Sequence, residues 1–251
     1  MKALYWKEIR SFLGSIIGYI FIVIFLISSG IFHWIVAEDT NLLNGEEVDM
    51  IPFFNLSPVI FLILIPAITM RMIAEERKTG TIELLFTRPI TDFQIIMAKY
   101  LAGVTLLIIS LLPTLIYYFS MVHLGADAMD ENGISKTVID EGATFTSYLG
   151  LILLGATFIA IGIFSSSVTS NQIVAFIVAM FLCWLFYDGF ELLGSFNLMG
   201  DFDIVFQYIG LTSHYKSIMK GVIDTGDLIY FFGMIAIFLA ATLTVVKSLK
   251  R

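Results

Sequence analysis

The chain is built of long apolar blocks separated by short polar ones. Six blocks, at about 14–36, 54–74, 95–121, 147–166, 172–193 and 228–246, reach the roughly 20 residues that an α-helix needs to cross a bilayer core. The pattern predicts an all-α, polytopic membrane protein with six transmembrane helices in a single domain spanning 1–251. Pro58 and Pro66 in the second block and Pro113 in the third mark positions for kinks, because neighbouring helices can satisfy the freed carbonyls.

Residues 1–13 follow a different rule. At about 100° per residue, Tyr5, Trp6, Ile9, Phe12 and Leu13 share one side, with Lys7, Glu8, Arg10 and Ser11 opposite and Lys2 and Leu4 out of place. A basic, aromatic-containing amphipathic helix just before a span suits the membrane interface. The plainer alternative is that it is only the polar end of the first span.

The densest polar stretch runs from Glu75 to Thr91, inside a loop at 75–94. Gly80 suits the position just past a helix end, where φ > 0 carries no Cβ penalty. Thr81 can cap a short helix over Ile82 to Thr87, and Pro89 blocks its continuation. Thr91-Asp92-Phe93-Gln94 is a capping-box pattern, so the next long helix is expected to start at Thr91. Arg77, Lys78 and Arg88 alone would suffice as a basic topology anchor. An anchor needs no short helix, however, and Ile82, Leu84, Leu85 and Phe86 place a small apolar patch outside the bilayer, suited to docking.

Charge gives the orientation. Apolar types make up 58% of the 251 residues and charged types only 14%, with a mean hydropathy of +0.92. With the N-terminus in the cytoplasm, that face carries eleven of the fourteen Lys and Arg and five of the 21 acids, leaving the outer face acidic. The loop at 75–94 and both termini are then cytoplasmic. Lys99 is counted among the cytoplasmic cations and Lys136 among the outer ones. Of the outer connections, 37–53 and 122–146 are acidic and polar. The segment 194–227 carries Phe202, Val205, Phe206, Ile209 and Leu211, too short to span, and is expected to fold back as interfacial or re-entrant short helices.

Catalytic constellations are missing from the sequence. His33, His123 and His214 form no metal-spacing pair, Ser165-Ser166-Ser167 lacks a nucleophile context and reads as caps and turns, and no G-x-x-x-x-G-K-[ST] phosphate loop occurs. Asp188 and Glu191 sit at the outer end of the fifth block, as interfacial acids. Cys183 is the one cysteine, so no intrachain disulfide framework exists.

Glu75 through Leu85, followed by Pro89-Ile90-Thr91, resembles the cytoplasmic loop of ABC-2-type transporter permeases, which reads E-x-x-x-G-T-hydrophobic-E-x-L, then a proline and a spacer into a helix ending near Ala98-Lys99-Tyr100. His214-Tyr215-Lys216, Gly221 to Asp224 and Asp227 to Phe231 are similar to the segment entering the last span in that family. The resemblance covers essentially the whole chain and is most like the gliding-motility-associated permease subunit of Bacteroidota. Copper-site maturation, sodium-extrusion and drug-efflux permeases share the plan.

The resemblance implies an ABC-2 (type V exporter-like) transmembrane domain in a bacterial inner membrane. It implies no ATPase activity and no cofactor on this chain, with ATP and Mg held by a partner ABC ATPase dimer. The other implied partners are the lipid bilayer, a second permease half (the same chain or a related subunit) and, for the gliding subfamily, an auxiliary subunit with a large periplasmic domain; nucleic acid is not among them. On this reading Glu75, Glu76, Arg77 and Glu83 pair with charges on the ATPase, and Leu84, Leu85 and Phe86 fill its groove. Gly80, Thr81 and Pro89 shape the short helix. The turn from Ser165 to Asn171, with Ser167, Thr169 and Asn171, is a second, smaller contact, while Trp6 and Arg10 brace the inner leaflet. A rival reading is a cargo-less anchor or mechanical transmitter. Ser28, Ser29, Thr69, Ser110, Thr114 and Ser120 are the main span residues able to line an aqueous path, and each can equally serve helix packing.

Overall fold

The computed structural model describes residues 1–36, 50–87, 89–127, 140–195 and 202–250. Arg88, Lys136, the middle of the connections at 37–53 and 122–146, and the side chains of Phe202 and Val205 lie outside the described residues. Every regular element among those described is helical. Six helices are long and apolar enough to cross a membrane: Ile16–Trp34, Ile51–Lys78, Asp92–His123, Glu141–Val168, Gln172–Ser195 and Thr225–Ser248, the first to sixth spans.

The first helix lies within its apolar block; the other five contain theirs and outrun them, because polar residues cap and extend the backbone ladder. The fourth helix starts at Glu141 because the Asp140 carboxylate accepts from Ala143 N at 2.9 Å. The hydroxyls of Thr146 and Ser147 then return to the Ala143 carbonyl at 3.0 and 2.6 Å. Pro113 sits in a 3-10 turn, Leu112–Thr114, inside the third span. Pro58 and Pro66 stay within the helix Ile51–Thr69, which breaks at 70–73 and resumes as Ala74–Lys78.

The fourth span is the axis of the bundle. It packs against the second, third, fifth and sixth spans, with 83% of its central window buried against 28% for the first and the fifth. Glycines make that possible. A Cβ at Gly155 would lie 2.5 Å from Leu107 Cδ2, and one at Gly162 would lie 2.1 Å from Thr69 Oγ1, so only glycine lets the third and second spans approach this closely. Ala156, Ala160, Phe158, Ile159 and Ile163 fill the rest of its surface with buried apolar volume.

Within the segment 194–227 the described residues include two short helices, Phe202–Ile209 and Leu211–Met219. The second folds onto the bundle: Leu211, Thr212, Tyr215 and Ile218 are buried, and the Tyr215 hydroxyl donates to the Phe54 carbonyl at 2.7 Å. The fifth span contains a π-helical turn at Leu185–Gly189, and there the Tyr187 carbonyl accepts from Thr212 Oγ1 at 2.5 Å. His214 bridges two elements, with Nδ1 2.6 Å from Asp227 Oδ1, Nε2 2.9 Å from the Tyr208 carbonyl, and its ring stacked on Tyr230.

The N-terminal helix, Lys2–Leu13, packs against the third and first spans through most of the face the apolar count selects, Tyr5, Ile9, Phe12 and Leu13, with Leu4 and Glu8 added and Trp6 left out. Leu4, Tyr5, Glu8, Ile9 and Phe12 turn inward, whereas Trp6 is 51% exposed and Arg10 is also exposed. Tyr5 and Thr105 share a hydroxyl–hydroxyl hydrogen bond of 2.8 Å. Glu8 faces inward because a cation on the third span waits there.

Candidate functional site

Both termini, the loop between the second and third spans and the turn between the fourth and fifth lie at one end of the bundle. At this end the second span leaves the bundle through its break at 70–73. The broken ladder is replaced by one side chain. Ser166 Oγ, fully buried in the fourth span, accepts from the backbone N–H groups of Ile73 and Ala74, both at 3.0 Å, and donates to the Met70 carbonyl at 3.0 Å. Arg77 Nη1 donates to the Ser167 carbonyl nearby. The two loops at this end are therefore one structure.

A charge cluster fixes the same root from the other side. Lys99, in the third turn of the third span, is 1% exposed, with Nζ 2.8 Å from Glu76 Oε1 and 3.4 Å from Glu8 Oε1. Lys7 reaches the same oxygens from the solvent side, Glu8 Oε1 at 3.2 Å and Glu76 Oε1 at 3.5 Å. Burial disfavours the charged form of Lys7, but Glu8 and Glu76 outweigh it and lift the ammonium above the ordinary lysine range. The cluster ties the N-terminal helix, the end of the second span and the start of the third.

Beyond this root the chain turns outward. Gly80 takes φ 71°, the left-handed conformation the sequence asks of it. The helix Thr81–Phe86 follows, with Gly80 itself as its N-cap. Thr81 is thus the first helical residue and not the cap; its hydroxyl turns back to the Glu76 carbonyl at 3.4 Å and to Thr79 Oγ1 at 2.9 Å. No residue of this helix is buried. Ile82 and Phe86 lean toward the bundle, while Glu83 and Leu84, the latter 66% exposed, face away. Phe86 lies under Lys250 Nζ, 4.7 Å from the ring centroid, and the same ammonium reaches Asp92 at 2.5 Å. The expected capping box is present: Thr91 Oγ1 accepts from Gln94 N and Gln94 Oε1 from Thr91 N, both at 3.3 Å.

The candidate residues thus divide. Glu75, Gly80, Thr81, Glu83, Leu84 and Pro89 are exposed, and Leu85 lines a cavity of about 440 Å³ between the short helix and the N-terminal helix. Glu76 and Arg77 are committed inside the chain, to Lys99 and to the Ser167 carbonyl. The expected turn from Ser165 to Asn171 is helical through Val168, so Ser167 is a buried residue of the fourth span, its hydroxyl on the Phe164 carbonyl at 2.6 Å; beyond the helix Thr169 Oγ1 accepts from Asn171 N at 3.1 Å, and Asn171 Oδ1 caps the fifth span through Ile173 N at 2.9 Å. Sequence reasoning missed Ser166, Lys99 and Glu8. The one available signal was Lys99, a charge within the apolar third block; Glu8 gave none, because periodicity sets it on the polar side of its helix.

No curated protein matches the chain. The family described as ABC-2 family transporter protein matches residues 2–248. That range takes in the N-terminal helix, all six spans and the projecting loop. The chain accordingly belongs to the ABC-2 family of transporter proteins, as a multi-pass membrane permease whose family implies an ABC ATPase partner.

Proposed function

We propose that this chain is the membrane half of an ABC machine and that the partner ATPase docks on the outward side of the helix Thr81–Phe86. The observation that carries the reading is the contrast between that helix, which buries nothing, and its root, which is gripped by Ser166, Arg77 and the Lys99 cluster. A force applied to Glu83 and Leu84 passes into the second, third and fourth spans together. Glu75 and Glu83 meet charges on the ATPase, and ATP and Mg stay on that partner.

The distribution of Lys and Arg supports placing this end in the cytoplasm of a bacterial inner membrane. A second permease half covers the apolar stripe of the fifth span, Ile173, Ile177, Phe181 and Trp184, which is exposed on this chain. The loop and last-span motifs support a role in gliding motility, with an auxiliary subunit carrying a periplasmic domain.

A transmitter without cargo is favoured by one set of contacts. Ser29, Thr69, Ser110 and Thr114 are buried, and each hydroxyl donates to a carbonyl of the preceding turn of its own chain, at 3.2, 2.8, 2.7 and 2.7 Å. Groups so engaged are poor solvation sites for a polar cargo.

The test is the double variant Glu83→Lys/Leu84→Asp. It should insert and melt like the parent but lose ATPase in co-purification; undiminished retention of the ATPase refutes the docking site. In liposomes, turnover stimulated by a solute assigns transport, whereas turnover coupled only to a periplasmic partner assigns transmission.

A further inference from the structure

A cavity of about 490 Å³ lies between the N-terminal helix and the root of the projecting loop, and ATPase docking makes no use of it. One part of its wall is apolar, formed by Phe12, Ile17, Ile68 and Met72. Ile17 is in the first turn of the first span and Ile68 in the last turn of the helix Ile51–Thr69, so this wall lies at the end of the bundle that bears the termini. The rest is charged. Two of its groups each hold a buried atom with no hydrogen-bond partner among the described residues: Nε of Arg71 and Oε2 of Glu76. An unmet donor on a cation and an unmet acceptor on a carboxylate are both costly to bury, so each calls for a complementary group.

Charge balance says what kind of group. The lining carries three cations, Lys7, Arg71 and Lys99, and three carboxylates, Glu8, Glu75 and Glu76. Lys7 and Lys99 are already engaged with Oε1 of Glu8 and of Glu76. An anion alone, or a cation alone, would leave a net charge in a partly desolvated space. A ligand bearing both signs would not. A phosphate oxygen suits the Arg71 donor, an ammonium N–H suits the Glu76 acceptor, and acyl chains suit the apolar wall.

We propose that this cavity binds a phospholipid whose headgroup joins a phosphate to a primary ammonium, that is, phosphatidylethanolamine. The lipid comes from the leaflet at the end that bears the termini. Only the identity of that leaflet as the inner one rests on the orientation proposed above. The lipid would wedge between the N-terminal helix and the loop root, next to the Lys99 cluster.

Native mass spectrometry of the purified full chain in detergent tests this, by titration with phosphatidylethanolamine, phosphatidylcholine and phosphatidylglycerol of identical acyl chains and with water-soluble glycerophosphoethanolamine. The expected result is a preference of about tenfold for phosphatidylethanolamine over phosphatidylcholine, whose quaternary nitrogen has no N–H for Glu76, and a clear preference over anionic phosphatidylglycerol. Arg71→Gln should weaken binding of all three lipids by about tenfold, because it removes the donor to the phosphate they share. Ser11→Trp, which narrows the cavity without changing its charge, should weaken binding as well, so the outcome does not hang on one variant's folding. Equal binding of phosphatidylethanolamine and either other lipid overturns the proposal, as does undiminished phosphatidylethanolamine binding in both variants. Glycerophosphoethanolamine binding as tightly as the lipid overturns its lipid part and assigns the site to a soluble zwitterion. No ATPase enters the measurement, so a negative result leaves the docking reading standing.

Discussion

Replacing Lys99 with Met tests how the projecting loop is rooted. The parent ammonium is buried to 1% exposure, 2.8 Å from Glu76 and 3.4 Å from Glu8. Its loss leaves two carboxylates facing only Lys7, whose side chain is 58% exposed and so well screened by water. Removing one partner of a buried ion pair costs roughly 3–5 kcal/mol. The residual contacts of Lys7 and the 15% exposure of the Glu76 side chain place the loss at the lower end, about 3 kcal/mol. At about 2–4 °C per kcal/mol for a chain of this length, the melting midpoint should fall by about 6–12 °C. Thermal melting of the detergent-purified protein reads this directly. The triple variant Lys99→Met/Glu8→Gln/Glu76→Gln removes the stranded charges as well and should recover most of the loss. A Lys99→Met protein that melts within about 1 °C of the parent would falsify the view that the cluster holds the root together.

Three further outcomes are expected. Ser166→Ala deprives two buried N–H groups of their acceptor and should cost about 1–3 kcal/mol, with faster amide exchange at Ile73 and Ala74 than elsewhere in the second span. Gly162→Ala drives a methyl into Thr69 and should cost about 1–3 kcal/mol in melting, with partial recovery when combined with Thr69→Ala, which removes the nearest obstacle. Gly80→Ala meets open space but a left-handed backbone; its cost of about 1–2 kcal/mol should appear as local exchange at Thr81–Phe86 and leave the spans untouched.

What the sequence makes legible is whatever is local to one helix. Apolar block length dictates the six spans, because a backbone in lipid must satisfy its own polar groups. The Thr91–Gln94 box and the φ of Gly80 follow from side chains within a few residues of where they act. Pairing between distant helices is not local, and there the reading stops. Glu8 and Lys99 are 91 positions apart; periodicity sets Glu8 on the polar side of its helix and leaves Lys99 as a lone charge in an apolar block. Only the packing of the N-terminal helix on the third span makes them a pair. Ser166 is indistinguishable from Ser165 and Ser167 by type; it acts because the second span breaks opposite it. Thr81 carries the chemistry of a cap, but Gly80, already left-handed, occupies the capping position first.

The grip of Lys250 on Phe86 and Asp92 has a practical corollary. Anything fused beyond that lysine, such as an affinity tag or a fluorescent reporter, begins alongside the projecting helix. It would compete with whatever binds there, so a label meant to be silent belongs elsewhere on the molecule.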